Sequence, residues 1–360
     1  MRGEGTVLDL NKMLQERLER GASDLHITVG VPPMIRRNGA LTSLGGSALT
    51  SADTRELVYS ILSGEQRAAL EREWEFDFAY SLPGCARFRV NTYFQRNSVG
   101  AAFRAIPMQI RSFGELGLPA IVADLALRAR GLVLVTGPTG SGKTTTLATI
   151  IDHINHNCTD HIITIEDPIE YLHQHGESVV NQREVGADTR SFSAALKYIL
   201  RQDPDVIMIG EMRDLETVAA ALTAAETGHL VFATLHTQDA AQTVDRIIDV
   251  FPPHQQQQVR VQLASSLQGV VSQQLLPIRD GSGRTAAVEV LVPTPAVRNL
   301  IREGKTHQIP TAIQTGTQHG MTSMDNSLAT LYKRGMITLD TALQRAIDVN
   351  VLKQLTGTAD

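Results

Sequence analysis

The segment that most limits this chain is Gly137-Pro138-Thr139-Gly140-Ser141-Gly142-Lys143-Thr144, set between an apolar run at Leu132–Val135 and a helix-period run beginning at Lys143. Its glycines let backbone N–H groups converge on an anion with no side chain in the way. The helix start adds unpaired N–H groups and the positive end of its dipole. Lys143 is then placed to reach β- and γ-phosphates, and the Thr144 hydroxyl to hold Mg2+. Thr145, next in the first turn, joins the expected nucleotide-binding set. A strand-to-helix turn that binds nothing would not need every one of these positions filled. The loop implies a phosphate ligand without naming the reaction, since kinases, GTPases and ring motors share it. No guanine-reading Asn-Lys-x-Asp follows, because Lys197 is the one lysine in residues 151–250. The expected ligand is therefore ATP with Mg2+.

Such a loop belongs at the end of a strand, and the sequence after residue 120 supplies a sheet. Leu132–Thr136, His161–Ile165, Val206–Ile209 and Leu230–Leu235 are short apolar strands, and helical patterns at 143–155, 192–202 and 215–226 alternate with them. Strands apolar on both faces and separated by helices indicate a covered, mostly parallel sheet. Gln255–Gln258 reads as polar helix surface, and the tail from Thr294 as mainly helical.

The first part of the chain has another character. Leu8, Leu10, Met13, Leu14 and Leu18 recur at helical spacing and stop at Gly21. Asp24–Val29 reads as a strand, Gly30–Pro33 as a turn, and Ser51 as the cap of a helix running to about Leu62. From Trp74 to Ile106 the period becomes two, with a hairpin turn expected at Asn97-Ser98. The fold class is thus α/β, with a small α+β domain over residues 1–106, a Pro- and Gly-bearing linker over 107–119, and an ATPase domain over 120–360.

Composition narrows the partners. The chain has 360 residues and a formal net charge of -5, which makes a generic nucleic-acid surface the weaker expectation. Cys85 and Cys158 are its two cysteines, too few for a four-cysteine zinc cluster, so a reducing compartment is the simpler reading. Met1–Gly5 is polar and Gly-rich, with no signal peptide expected. No run reaches the ~18 apolar residues of a spanning helix.

A triphosphate site also needs a metal holder and a means of placing water, and open parallel sheets put such groups beyond strand C-termini. Glu166 follows the strand at 161–165, and Glu211 follows the strand at 206–209. One would orient water while the other supports the metal shell, and the sequence leaves open which does which. Asp205 stands before its strand and is poorly placed for Mg2+. His229 and His236 flank the strand Leu230–Leu235. Seven extended residues cover roughly 23 Å, so the two cannot touch one phosphate within a subunit. His236, at the ligand end, would sense the γ-phosphate or serve as a structural hydrogen-bonder. His229, at the other end, would serve an interface or a structural bond. Arg87 and Arg89 share a strand face, with Arg96 and Arg104 on or near the next hairpin. They read as arginine fingers or as a solvated face.

Taken together, these motifs resemble the secretion ATPase superfamily and, within it, the type IV pilus retraction motors. The resemblance runs through Ser23-Asp24-Leu25-His26, R-F-R-V-N at 87–91, the phosphate loop, and T-I-E-D-P-I-E-Y at 164–171. It continues through D-P-D-V-I-M-I-G-E-M-R-D at 203–214, T-G-H-L-V-F-A-T-L-H-T at 227–237, and A-V-R-N-L-I-R-E-G-K-T-H-Q-I at 296–309, where Val297 replaces the usual isoleucine. The resemblance implies a PAS-like first domain, a RecA-like P-loop ATPase core, and a homohexamer with ATP between protomers. It implies a catalytic Glu166, a Walker B Glu211, paired roles for His229 and His236, and nucleotide contacts by Arg89 and Arg104. It further implies an inner-membrane platform protein as partner, pilin subunits acted on indirectly, no nucleic acid, no transmembrane segment, and a cytoplasmic location beside the membrane. An extension or secretion motor, or a nucleotide-gated scaffold without turnover, is the alternative. The 296–309 segment is a candidate for coupling, or for packing through Leu300 and Ile301.

Overall fold

The computed structural model describes residues 8–37, 39–82, 84–106 and 109–358. Met1–Gly5 and the first linker residue, Pro107, lie outside the described residues. The chain divides into two units. One comprises the described residues up to Gln109 together with Pro168–Leu172; the other comprises Ile110–Asp167 and His173 onward.

In the first unit, alternation of apolar and polar residues gives an antiparallel sheet with one buried face. Its strands are β1 (Asp24–Ile27), β2 (Met34–Arg37), β3 (Ala40–Ser43), β4 (Glu75–Leu82), β5 (Ala86–Gln95) and β6 (Ser98–Ile106), in the order β3-β2-β1-β6-β5-β4. Phe88, Val90, Val99 and Phe103 are buried against Leu10 and Leu14 of the opening helix, Leu57 of the helix Ser51–Tyr59 and Leu70 of the helix Gly64–Glu73. The β5–β6 turn is Arg96-Asn97, one residue earlier than expected: Gln95 pairs with Ser98, and both turn residues have positive φ, 45° and 60°. A two-residue hairpin loop needs that left-handed geometry to match strand twist, and asparagine tolerates it. Thr50, rather than Ser51, caps the following helix, its hydroxyl accepting from the Asp53 N–H while Asp53 answers to the Thr50 N–H. Ser51 is the first helical residue.

In the second unit the strands are β7 (Gly131–Thr136), β8 (His161–Glu166), β9 (Val179–Glu184), β10 (Val206–Ile209), β11 (Leu230–Leu235), β12 (Leu267–Pro277) and β13 (Arg284–Leu291). Their order is β13-β12-β7-β11-β10-β8-β9, parallel throughout except for the antiparallel β12–β13 hairpin. β7, β10 and β11 are buried at every position, which is why they read as unbroken apolar runs. One face packs Val133, Val135 and Phe232 against Leu147, Ile150 and Ile154 of the helix Lys143–Asn157. The other packs Leu134, Ile207 and Val231 against Val218 and Leu222 of the helix Leu215–Glu226.

The segment expected as linker contains a short helix, Phe113–Leu116, opened by a Ser112–Glu115 capping box. Within the 296–309 stretch, Val297, Ile301 and Ile309 are buried in the core. Arg298 donates to the carbonyls of Ala264 and Ser265, the last turn of the helix Pro253–Ser266. That segment therefore closes a helix end as well as filling the core.

Candidate functional site

Strand order explains the site. β11 lies between β7 and β10, so residues that leave the carboxyl ends of these three strands become neighbours although they stand far apart in sequence. β7 delivers the glycine loop, β11 delivers His236, and β10 delivers Glu211.

Gly137 has φ of 141°, and a Cβ there would meet the Gln273 backbone oxygen at 2.3 Å. Gly142, with φ of 90°, is the left-handed residue that opens the helix Lys143–Asn157. Lys143 follows and is 9% exposed. Its ammonium donates to the carbonyls of Gly137 at 2.8 Å and Pro138 at 3.1 Å, and stands 3.4 Å from His236 Nδ1. Burial pulls its pKa below the usual lysine value, opposed by the nearby Glu211 charge. Thr144 and Thr145 are half-buried in the same first turn. Pro138, Thr139 and Gly140 are exposed along the loop, and Ser141 is buried.

His236 Nε2 lies 3.1 Å from Glu211 Oε1. An ammonium can only donate, so Nδ1 accepts from Lys143 and Nε2–H donates to the carboxylate. His236 thus links the loop lysine to the acid after β10. Arg213 grips the same carboxylate with two bonds, Nε at 2.6 Å and Nη2 at 2.7 Å. Burial raises the Glu211 pKa, but Arg213 and His236 outweigh it and leave the group below the usual carboxylate range. Glu211 is held ionised.

Glu166 ends β8, one strand beyond β10, and is 5% exposed. Its Oε1 accepts from Thr164 Oγ1 at 2.8 Å and from Gln182 Nε2 at 2.9 Å. Gln182, on β9, also accepts the His173 N–H. The Asp205 carboxylate accepts the His161 N–H at the amino ends of β8 and β10, the end of the sheet away from the phosphate loop.

His229 is at the amino end of β11. Its Nδ1 lies 3.0 Å from the Ala224 carbonyl, and its ring lines a cavity of about 320 Å3 together with Arg128, Asp160 and Asp205. The cavity lies at the end of the sheet away from the phosphate loop. The structure therefore brings Lys143, His236 and Glu211 together and keeps His229 apart from them.

In the first unit Arg89 and Arg104 are cross-strand partners on β5 and β6. Two cations face each other there, and each has its own acid: Arg89 Nη1 is 3.5 Å from Glu170, and Arg104 Nε is 2.8 Å from Asp24. Arg87 donates to the Ile169 carbonyl at 3.1 Å, while Arg96 is exposed in the hairpin turn.

Among the described residues no cluster of three His, Cys, Asp or Glu side chains forms a metal cage. Mg2+ keeps most of its waters and takes one or two protein oxygens plus substrate phosphates. The Thr144 hydroxyl and the Glu211 carboxylate are oxygen donors of that kind. Arg213, Thr164, Gln182 and Gln273 were not singled out by sequence reasoning. Arg213 and Thr164 stand inside the motifs named for the resemblance, at 203–214 and 164–171, whereas Gln182 and Gln273 lie on strands whose polar residues carry no spacing signal.

Comparison with known proteins adds four findings. Residues 86–343 match the family model of type II/IV secretion system proteins. The chain is 49% identical to the type IV pilus retraction ATPase PilT of Pseudomonas aeruginosa over 339 residues, covering 94% of this chain and 98% of that one. It is 50% identical to a twitching motility protein of Neisseria gonorrhoeae, covering 87% and 84% of the two chains. A crystal structure of the pilus retraction motor PilT with bound ADP superimposes with a TM-score of 0.91 at 50% identity, covering 97% of this chain and 100% of that one. The expected RecA-like P-loop ATPase core is the fold observed. Among the described residues no helix is long and apolar enough to cross a membrane.

Proposed function

Because the chain belongs to the type II/IV secretion system protein family, we propose that it is an ATP-hydrolysing motor that drives type IV pilus retraction and twitching motility. The observation that carries the hydrolytic part is the chain of contacts Lys143–His236–Glu211, built from three adjacent strands at the mouth of the phosphate loop. Near-full-length identity to a retraction ATPase supports the retraction part over extension or secretion.

In this reading the loop N–H groups and Lys143 hold the β- and γ-phosphates, and Thr144 and Glu211 hold Mg2+, which neutralises phosphate charge when bound. A γ-phosphate competes with His236 for the Lys143 ammonium. Lys143 turning toward phosphate alters the Lys143–His236–Glu211 link, so His236 reports the bound state to β11 and the helix Ala240–Asp249 after it. Glu166, its carboxylate aimed by Thr164 and Gln182, orients the attacking water. Arg89 and Arg104 serve nucleotide held by a neighbouring copy, exchanging their acidic partners for phosphate. The working assembly is a homohexamer acting on an inner-membrane platform protein.

The test is steady-state phosphate release by purified protein, with Glu211→Gln as reference. Wild-type release no faster than the variant would remove the motor reading. In cells, loss of the gene should leave surface pili in excess and abolish twitching; loss of all pili would assign extension instead.

A further inference from the structure

The β12–β13 hairpin supplies no member of the expected catalytic set, yet it touches the phosphate loop closely. Gln273, on β12, is 1% exposed. Its Nε2 donates to the Ser141 carbonyl at 2.6 Å, and its Oε1 accepts from Thr146 Oγ1 at 2.9 Å. Next to it, the Ser272 hydroxyl bonds the Thr136 hydroxyl at the end of β7, at 2.8 Å. One buried amide thus holds the middle of the loop with its donor and the first turn of the following helix with its acceptor.

The peptide joining Ser141 to Gly142 is planar and trans, so its C=O and N–H point in opposite directions. A donor that fixes the Ser141 carbonyl toward β12 turns the Gly142 N–H away from β12. Gly142 has no Cβ and sits at positive φ, so its own sterics do not hold that plane. Without a tether the peptide could flip, and a carbonyl would then face the anion. The Thr146 bond holds the amide oxygen, so that the amide nitrogen faces the Ser141 carbonyl.

We propose that Gln273 is the positioning residue of the phosphate loop: it orients the Gly142 N–H toward the β-phosphate by anchoring the Ser141 carbonyl. This rests on the nucleotide-binding reading above but is independent of hydrolysis. It predicts that Gln273 acts on nucleotide affinity, for ADP and ATP alike, and little on the chemical step.

The experiment is titration calorimetry of the full-length protein with Mg-ADP and with magnesium tripolyphosphate, beside steady-state hydrolysis. Gln273→Met keeps the volume and removes both bonds. Gln273→Glu keeps the acceptor for Thr146 and loses the donor to Ser141. Thr146→Val removes only the helix bond. Both Gln273 variants should raise Kd for each ligand about tenfold and raise KM in parallel, with kcat within about twofold, while Thr146→Val shifts Kd by about twofold or less. If Gln273→Met folds poorly, Gln273→Glu and the apolar pair Gln273→Met with Thr146→Val take its place, with Kd referred to the folded fraction. The proposal is overturned if folded Gln273 variants bind Mg-ADP as the wild type does, or if kcat falls while Kd does not move. Failure of the wild-type protein to bind Mg-ADP would instead sink the underlying nucleotide reading.

Discussion

Glu289 offers a quantitative check on the packing of the second unit. It lies on β13, is 5% exposed, and its Oε1 accepts the Ala240 N–H at 2.9 Å, the first residue of the helix after His236. Burial pushes its pKa up to about 7; the nearby Asp239 and Asp325 add to this, and the N–H groups of Ala240 and Met324 oppose it. The ordinary value is 4.5, so the folded protein holds the proton more tightly than the unfolded chain. The stabilisation is therefore complete below the unfolded value and is lost as pH rises through about 7. A shift of this size corresponds to roughly 3 kcal/mol. The charged groups facing Glu289 are Asp239, capping the helix Ala240–Asp249, and Asp325, in the helix Met324–Lys333, while β12 presents Ser272 opposite it. Glu289→Gln keeps the shape and cannot ionise. Urea unfolding of both proteins at pH 5, 6, 7 and 8 should show the variant gaining on the wild type as pH rises, by roughly 2–3 kcal/mol across the range. Groups common to both proteins cancel in that difference. A difference independent of pH, or one that shrinks as pH rises, would refute the argument.

Two further outcomes follow from the site. Thr164→Val removes one of the two donors that aim Glu166 and should lower kcat about tenfold while leaving the Kd of Mg-ADP unchanged; unaltered turnover would detach Thr164 from the chemistry. His229→Ala changes the far end of β11 and should leave the affinity of isolated protein for Mg-ADP within about twofold of wild type, so a large loss in calorimetry would contradict the placement given above.

The parts of this molecule that sequence made legible are those where periodicity and chemistry coincide. β7, β10 and β11 are apolar at almost every position because both faces are covered, and the loop after β7 has a composition that few other structures demand. Glu166, Glu211 and His236 were placed by a single rule, that ligand groups sit at strand carboxyl ends. Other elements carried no such signal. β2 and β3 have four residues each, and β3 is exposed throughout, so there was no alternation to detect. β12 went unread because its buried Ser272 and Gln273 interrupt the apolar pattern; their partners, Thr136, Ser141 and Thr146, are more than 120 residues away. The Glu211–Arg213 grip is local in sequence yet invisible to spacing, since two residues of a loop can point anywhere. What composition could not supply was the lateral order of strands, and that order sets His236 between Lys143 and Glu211.

The first glycine of the phosphate loop illustrates how two demands can fall on one atom. A methyl group at Gly137 would strike the main-chain oxygen of the neighbouring β12 before it ever met a nucleotide. The absence of a side chain there is owed first to the next strand. A relative that had abandoned ATP altogether, yet kept this sheet, would still be obliged to keep that glycine, so finding the residue intact in a sequence certifies the architecture more firmly than it certifies the ligand.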